Sequence, residues 1–119
     1  MKRILFLLLP VFIMMSCAKN MEKQVVYEVS GAISAYKLSY LDKTDNLVSI
    51  NINPESIQDV WLYQFVAEEG DIVYVSGRYK DENSALHISI KIDGKIYKEG
   101  FSVGDTVKYL TVSGVIPYD

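Results

Sequence analysis

From Gln24 onward, apolar residues return at every second position and are drawn mainly from Val, Ile, Tyr and Leu. That period sends alternate side chains to opposite faces of an extended strand, and β-branched and aromatic residues suit a pleated, half-buried surface. Nothing in this region reads as a long helix. The runs predict strands at Val25–Gly31, Tyr36–Leu41, Leu47–Ile52, Val60–Val66, Ile72–Tyr79, Leu86–Ile92, Ile96–Phe101 and Val107–Ile116. Turn chemistry separates them, in Asp42-Lys43-Thr44-Asp45-Asn46, Asn53-Pro54-Glu55-Ser56, Glu68-Glu69-Gly70-Asp71, Lys80-Asp81-Glu82-Asn83, Asp93-Gly94 and Gly104-Asp105. Seven to eight antiparallel strands at this spacing predict an all-β fold, an immunoglobulin-like β-sandwich over residues 24–119.

Asp93-Gly94 lies between alternating runs and supplies the positive φ values that a tight hairpin needs. A two-residue turn sets Ile90 opposite Tyr97, whereas a three-residue turn with a glycine bulge sets Ile90 opposite Ile96. The second register is favoured because it groups Ile88, Ile90, Ile92 and Ile96 on one face. Pro54 removes a ladder donor, so it marks a turn or an edge, and residues 53–57 fit a loop crossing between sheets.

Before the strands comes a different kind of segment. Lys2 and Arg3 precede an uninterrupted apolar run, Ile4 to Met15. As a helix it would reach roughly 18 Å. A hydrocarbon core is about 30 Å thick, so a permanent transmembrane helix is disfavoured. A positive start, a short apolar middle and small Ser16 predict a signal peptide over residues 1–16. Met14-Met15-Ser16-Cys17 resembles the bacterial lipobox, with Met14 where Leu is usual. The resemblance implies that Cys17, the only cysteine, becomes the diacylglyceryl-modified first residue of the mature chain. Two acyl chains hold stably in a bilayer where one holds marginally. Residues 17–23 are then the lipidated cysteine and a polar tether, and the expected location is the cell envelope. Ala18 following the cysteine, with no acidic run behind it, favours the outer membrane facing the periplasm, with surface exposure as the alternative.

Without the leader, about a hundred residues remain, enough for a single core. The chain has 12 basic and 15 acidic side chains; removing Lys2 and Arg3 leaves ten against fifteen, a formal charge of −5. Nucleic acid and anionic lipid surfaces are poor partners for such a chain. With Cys17 acylated no thiol remains for a bridge, so the core holds by packing.

Catalytic signatures are sparse. His87 is the only histidine, and Leu86-His87-Ile88-Ser89-Ile90 puts it on the polar face of a strand, away from the isoleucines. No nucleophile motif accompanies it. Asp42, Asp45 and Asn46 could give oxygens to Ca²⁺, as could Glu68, Glu69 and Asp71, but neither spacing is that of an EF-hand, and turns use these residue types for their own backbone. No cofactor and no metal site is expected, and no enzyme activity. Trp61, Tyr63 and Phe65 share one strand face, and Tyr36 and Tyr40 share another. Such rows either fill the sandwich core or form an exposed aromatic surface. On the second reading Trp61, Tyr63 and Tyr74 make a partner or ligand surface for glycan or peptide.

Val25-Val26-Tyr27-Glu28-Val29-Ser30-Gly31, Leu38-Ser39-Tyr40, Val60-Trp61 and Ile90-Lys91-Ile92-Asp93-Gly94-Lys95, in that order, resemble the MmpS family of small membrane proteins. The family resemblance implies an immunoglobulin-like soluble domain acting as an accessory subunit of RND-type lipid exporters. Two features depart from it: the lipid anchor at Cys17 replaces a transmembrane helix, and the family's paired cysteines are absent. The expected function is therefore a membrane-anchored, non-enzymatic adaptor of an envelope complex, with an RND-type transporter as the implied partner; the alternative is a ligand-binding surface lipoprotein.

Overall fold

A computed structural model describes residues 21–103 and 108–118; Cys17, the leader before it and the expected turn at Gly104-Asp105 lie outside the described residues. Eight strands follow one another: β1 (Glu22–Ser30), β2 (Tyr36–Leu41), β3 (Leu47–Ile52), β4 (Trp61–Glu68), β5 (Ile72–Tyr79), β6 (Ala85–Ile92), β7 (Lys95–Val103) and β8 (Tyr109–Val115). They form two four-stranded antiparallel sheets, ordered β4-β1-β6-β7 and β3-β2-β5-β8. This is the two-layer β-sandwich that the alternation predicts. No helix among the described residues is long and apolar enough to cross a membrane.

Alternation decides which residues meet between the layers. Val25, Tyr27 and Val29 of β1 are fully buried, as are Ile88 and Ile90 of β6 and Val73 and Val75 of β5. Leu38, Leu86 and Ile116 complete the centre. The loop 53–60 carries the chain from β3 in one sheet to β4 in the other, as expected around Pro54.

The layers approach most closely along β7 and β8, and glycine makes this possible. A Cβ on Gly114 would stand 2.8 Å from the Tyr97 ring, and one on Gly100 would stand 3.0 Å from Leu110. Tyr97 uses the space at Gly114 to donate from its hydroxyl to the Val115 carbonyl at 2.7 Å. Gly77 on β5 is tighter still, since a Cβ there would lie 2.6 Å from Leu86 Cδ1. Replacing a glycine of ordinary φ by alanine usually stabilises by about 0.4–1 kcal/mol. Gly77→Ala is expected to reverse that sign and cost about 1–3 kcal/mol by overpacking, because Leu86 is 1% exposed and cannot retreat. Denaturant midpoints check this, with a smaller penalty expected in a Leu86→Val background; an unchanged penalty there would remove the clash as the cause.

β1, β4, β6, β7 and β8 differ from the expected ranges at one or both ends, and one boundary and one register have a clear physical cause. β1 begins at Glu22, inside the span expected to be tether, because Met21 already joins the ladder: its carbonyl accepts from the Glu69 amide at 3.2 Å. At the β6–β7 hairpin the turn is two residues, with Asp93 at φ 51° and Gly94 at φ 84°. Ile92 faces Lys95 and Lys91 faces Ile96, and a bulge then sets Ile90 opposite Lys98. The favoured register, with Ile90 opposite Ile96, is therefore corrected. Ile96 is 55% exposed and leaves the isoleucine face, while the extra residue in the bulge re-aims Tyr97 inward towards Gly114.

Candidate functional site

The strands alternate in direction along the whole chain, so the fold has two distinct ends. The base holds the start of β1, the turns 42–46, 69–71 and 93–94, and the end of β8. The opposite end holds the loops 31–35, 53–60 and 80–84. Two clefts lie at this far end. The larger, about 710 Å³, is bounded by Lys37, Asn51, Asn53, Arg78 and Lys80 over walls of Tyr36 and Tyr79. Ser34 also lines it, and its hydroxyl is buried with no hydrogen-bond partner among the described residues. The smaller, about 210 Å³, lies between the loop 53–60 and the 31–35 connection, with Tyr36, Asp59 and Trp61 in its wall.

Tyr36 separates the two clefts. Burial pushes its phenol up to about 12, with the Asp59 carboxylate adding to the rise. It therefore remains a neutral hydroxyl at physiological pH.

The aromatic residues singled out in the sequence do not form one surface. Trp61, Tyr63 and Phe65 turn inward from β4 and pack, half-buried, on the core. Tyr27 anchors them, with ring centroids 5.1 Å from Phe65, 5.9 Å from Tyr63 and 6.2 Å from Tyr40. Tyr40 in turn lies 5.0 Å from Trp61. Such edge-on and tilted contacts are favourable arrangements for aromatic quadrupoles. Tyr74 alternates with the buried Val73 and Val75, so it stands on the outer face of the other sheet. The expected joint surface of Trp61, Tyr63 and Tyr74 is thus corrected: two of the three line the interior seam and one is outside. Their types signal a strand equally well in both settings, and only register tells them apart.

The other candidates resolve into local structure. Asp42 accepts from the Thr44 and Asn46 amides at 2.8 and 3.0 Å and from the Thr44 hydroxyl at 2.8 Å. The Asn46 amide and the Thr44 hydroxyl hold its carboxyl below the usual carboxylate range. Asp71 accepts from the Glu68 amide at 2.9 Å. Both acidic turns use their oxygens on their own backbone, and no three ligating side chains converge among the described residues. His87 stacks on Phe101 at 4.1 Å and bonds Glu99 at 3.1 Å on the outer face of β6 and β7. With Ser89 Oγ 3.4 Å from its Nε2, it has a hydroxyl neighbour.

What the sequence reading missed is the larger cleft. Its basic residues lie on two strands and a loop, so no contiguous charge run announces them. No protein-family model matches the chain, and no curated protein matches it in sequence.

Proposed function

We propose that this protein is a lipid-anchored, non-enzymatic accessory module of the bacterial envelope, held by an acylated Cys17 and meeting its partner through the end of the sandwich away from the bilayer. The observation that carries this reading is polarity along the fold. β1 starts at Glu22 at the base, and the two clefts open at the opposite end. Only residues 18–21 separate Cys17 from β1, which gives a reach of about 13 Å at ~3.3 Å per residue. So short a leash keeps the base near the membrane and turns the cleft end towards other envelope components. Tethering also raises the local concentration of a partner, so modest intrinsic affinity suffices. The MmpS-like strand motifs support a transport complex, such as an RND-type exporter, as that partner, and Ala18 after the cysteine, with no acidic run behind it, supports the outer membrane facing the periplasm as its location.

Cys17→Ala is expected to move the protein from the membrane to the soluble fraction with an unchanged circular dichroism spectrum, while mass spectrometry of the native protein finds a diacylglyceryl group on Cys17. An unacylated native polypeptide would overturn the reading. Orientation is tested with a photocrosslinker in living cells, at Ser56 in the far loop or at Thr44 in the base turn. Envelope protein adducts are expected from Ser56; adducts from Thr44 alone would reverse the polarity.

A further inference from the structure

The outer face of the sheet β3-β2-β5-β8 is organised in rows that run across the strands. Nearest the clefts, Asn51, Lys37, Arg78 and Tyr109 face one another in register from β3 through β2 and β5 to β8. Two residues along, the next row is Ser49, Ser39, Ser76 and Thr111. Beyond it, Leu47 and Leu41 pair on β3 and β2, and Tyr74 and Ser113 pair on β5 and β8. Small hydroxyl residues thus form the floor of a trough whose banks carry larger side chains, except at Ser113 on β8. With strands about 4.8 Å apart, the trough is about 14 Å long, and its banks are about 13 Å apart at ~3.3 Å per residue.

The charge on this face is one-sided. The four strands contain no Asp or Glu, whereas the other sheet carries Glu22, Glu28, Glu68 and Glu99. Lys37 and Arg78 stand directly opposite each other, a like-charge pairing that costs energy across a ladder. Neither has an acidic partner within ion-pair distance among the described residues. Lys80 adds a third cation at the rim, where the larger cleft opens beside the row, and Asp81 is the one carboxylate in that cleft's lining, so three cations stand there against a single acid. In a chain of net charge −3, such a concentration of cations, with no ion pair to Lys37 or Arg78 among the described residues, is suited to an anion supplied from outside.

The floor says what kind of anion. The Ser39 and Ser49 hydroxyls lie 2.9 Å apart, and Thr111 donates to Ser76 at 3.1 Å. Each pair commits one hydrogen, so one donor and several lone pairs remain for hydroxyl groups above it. Asn51 and Asn53 add amides that donate and accept. Tyr109, 61% exposed, and Tyr74 offer ring surface at the two banks. We infer that this face binds an anionic polysaccharide, its carboxylate or phosphate groups on Lys37 and Arg78 and its sugar hydroxyls on the Ser/Thr floor.

The inference does not depend on acylation or on a transport partner. Calorimetric titration of the full-length protein in detergent would use three probes: polygalacturonate for carboxylate, phosphomannan for phosphate and dextran as the neutral control. Binding is expected for at least one anionic polymer and to weaken with added salt, and the polymer that binds identifies the anion. A Lys37→Gln/Arg78→Gln double variant is expected to bind at least tenfold more weakly, while Lys37→Arg keeps most of the affinity. Both positions are exposed, so the circular dichroism spectrum stays that of the parent. Equal binding of dextran, undiminished binding by the double variant, or no binding of any polymer would overturn the inference. Membrane partition of the double variant is expected to be unchanged, which separates this result from the test of the anchor.

Discussion

Tyr27→Ala is expected to remove roughly 4–6 kcal/mol of folding stability, much of the about 5–15 kcal/mol available to a domain of this size. Two losses combine. The ring is fully buried and touches Tyr40, Tyr63 and Phe65, so truncation opens a cavity where the aromatic seam meets the core. The hydroxyl donates to the Leu41 carbonyl at 2.8 Å and accepts from the Tyr74 amide at 3.4 Å, tying β1 to the base ends of β2 and β5 in the other sheet. Tyr27→Phe keeps the ring and orphans only those two backbone groups, so it should cost about 1–2 kcal/mol. Urea midpoints for the two variants separate packing from hydrogen bonding. If alanine costs no more than phenylalanine, the seam contributes little beyond the phenol's hydrogen bonds.

The position of Tyr27 also marks how far the fold could be read from the chain alone. Period-two patterning is a local signal, and it located all eight strands within a few residues. β2, β3 and β5 match the observed ranges residue for residue. It failed where a non-local contact decided the outcome. β1 reaches back to Glu22 because the Met21 carbonyl has a donor on Glu69, and the β6–β7 register follows a bulge whose benefit is the fit of Tyr97 against Gly114. Neither partner is near in sequence. The bulge exchanges an isoleucine on the inner face for a tyrosine with a carbonyl acceptor on β8, and no reading of residues 88–97 alone contains that acceptor.

The same distinction governs the surfaces. An aromatic row on one strand is visible in sequence, but whether it faces a second sheet or solvent depends on strand order. Trp61 and Tyr63 face the interior while Tyr74 faces outward. Conversely, the row of Asn51, Lys37, Arg78 and Tyr109 has members as far apart as residues 37 and 109, and becomes one feature only through three registers. A like-charge pair directly opposite across a ladder is destabilising. Its presence on a sheet without acidic strand residues is what distinguishes this face from the mixed-charge face opposite, where Lys91 meets Glu28 at 3.0 Å.

Alkaline pH is expected to unfold the protein through two phenols. Burial raises both Tyr27 and Tyr36 from 10.0 to about 12. In the folded state each holds its proton more tightly than in the unfolded chain, so its contribution to stability is complete below pH 10 and is lost as pH rises from 10 to 12. At 1.36 kcal/mol per unit, each shift corresponds to about 2–3 kcal/mol, and the pair to roughly 5 kcal/mol. That is comparable to the whole stability of a small domain, so cooperative unfolding should accompany phenolate formation in that window. Tyr27→Phe and Tyr36→Phe should each flatten the dependence of stability on pH by about half, since phenylalanine has no proton to lose. Parallel titrations by phenolate absorbance and circular dichroism decide the matter. If both phenols ionise near 10 while the fold persists, their side chains are open to solvent, and the burial assigned to Tyr27 and Tyr36 is wrong.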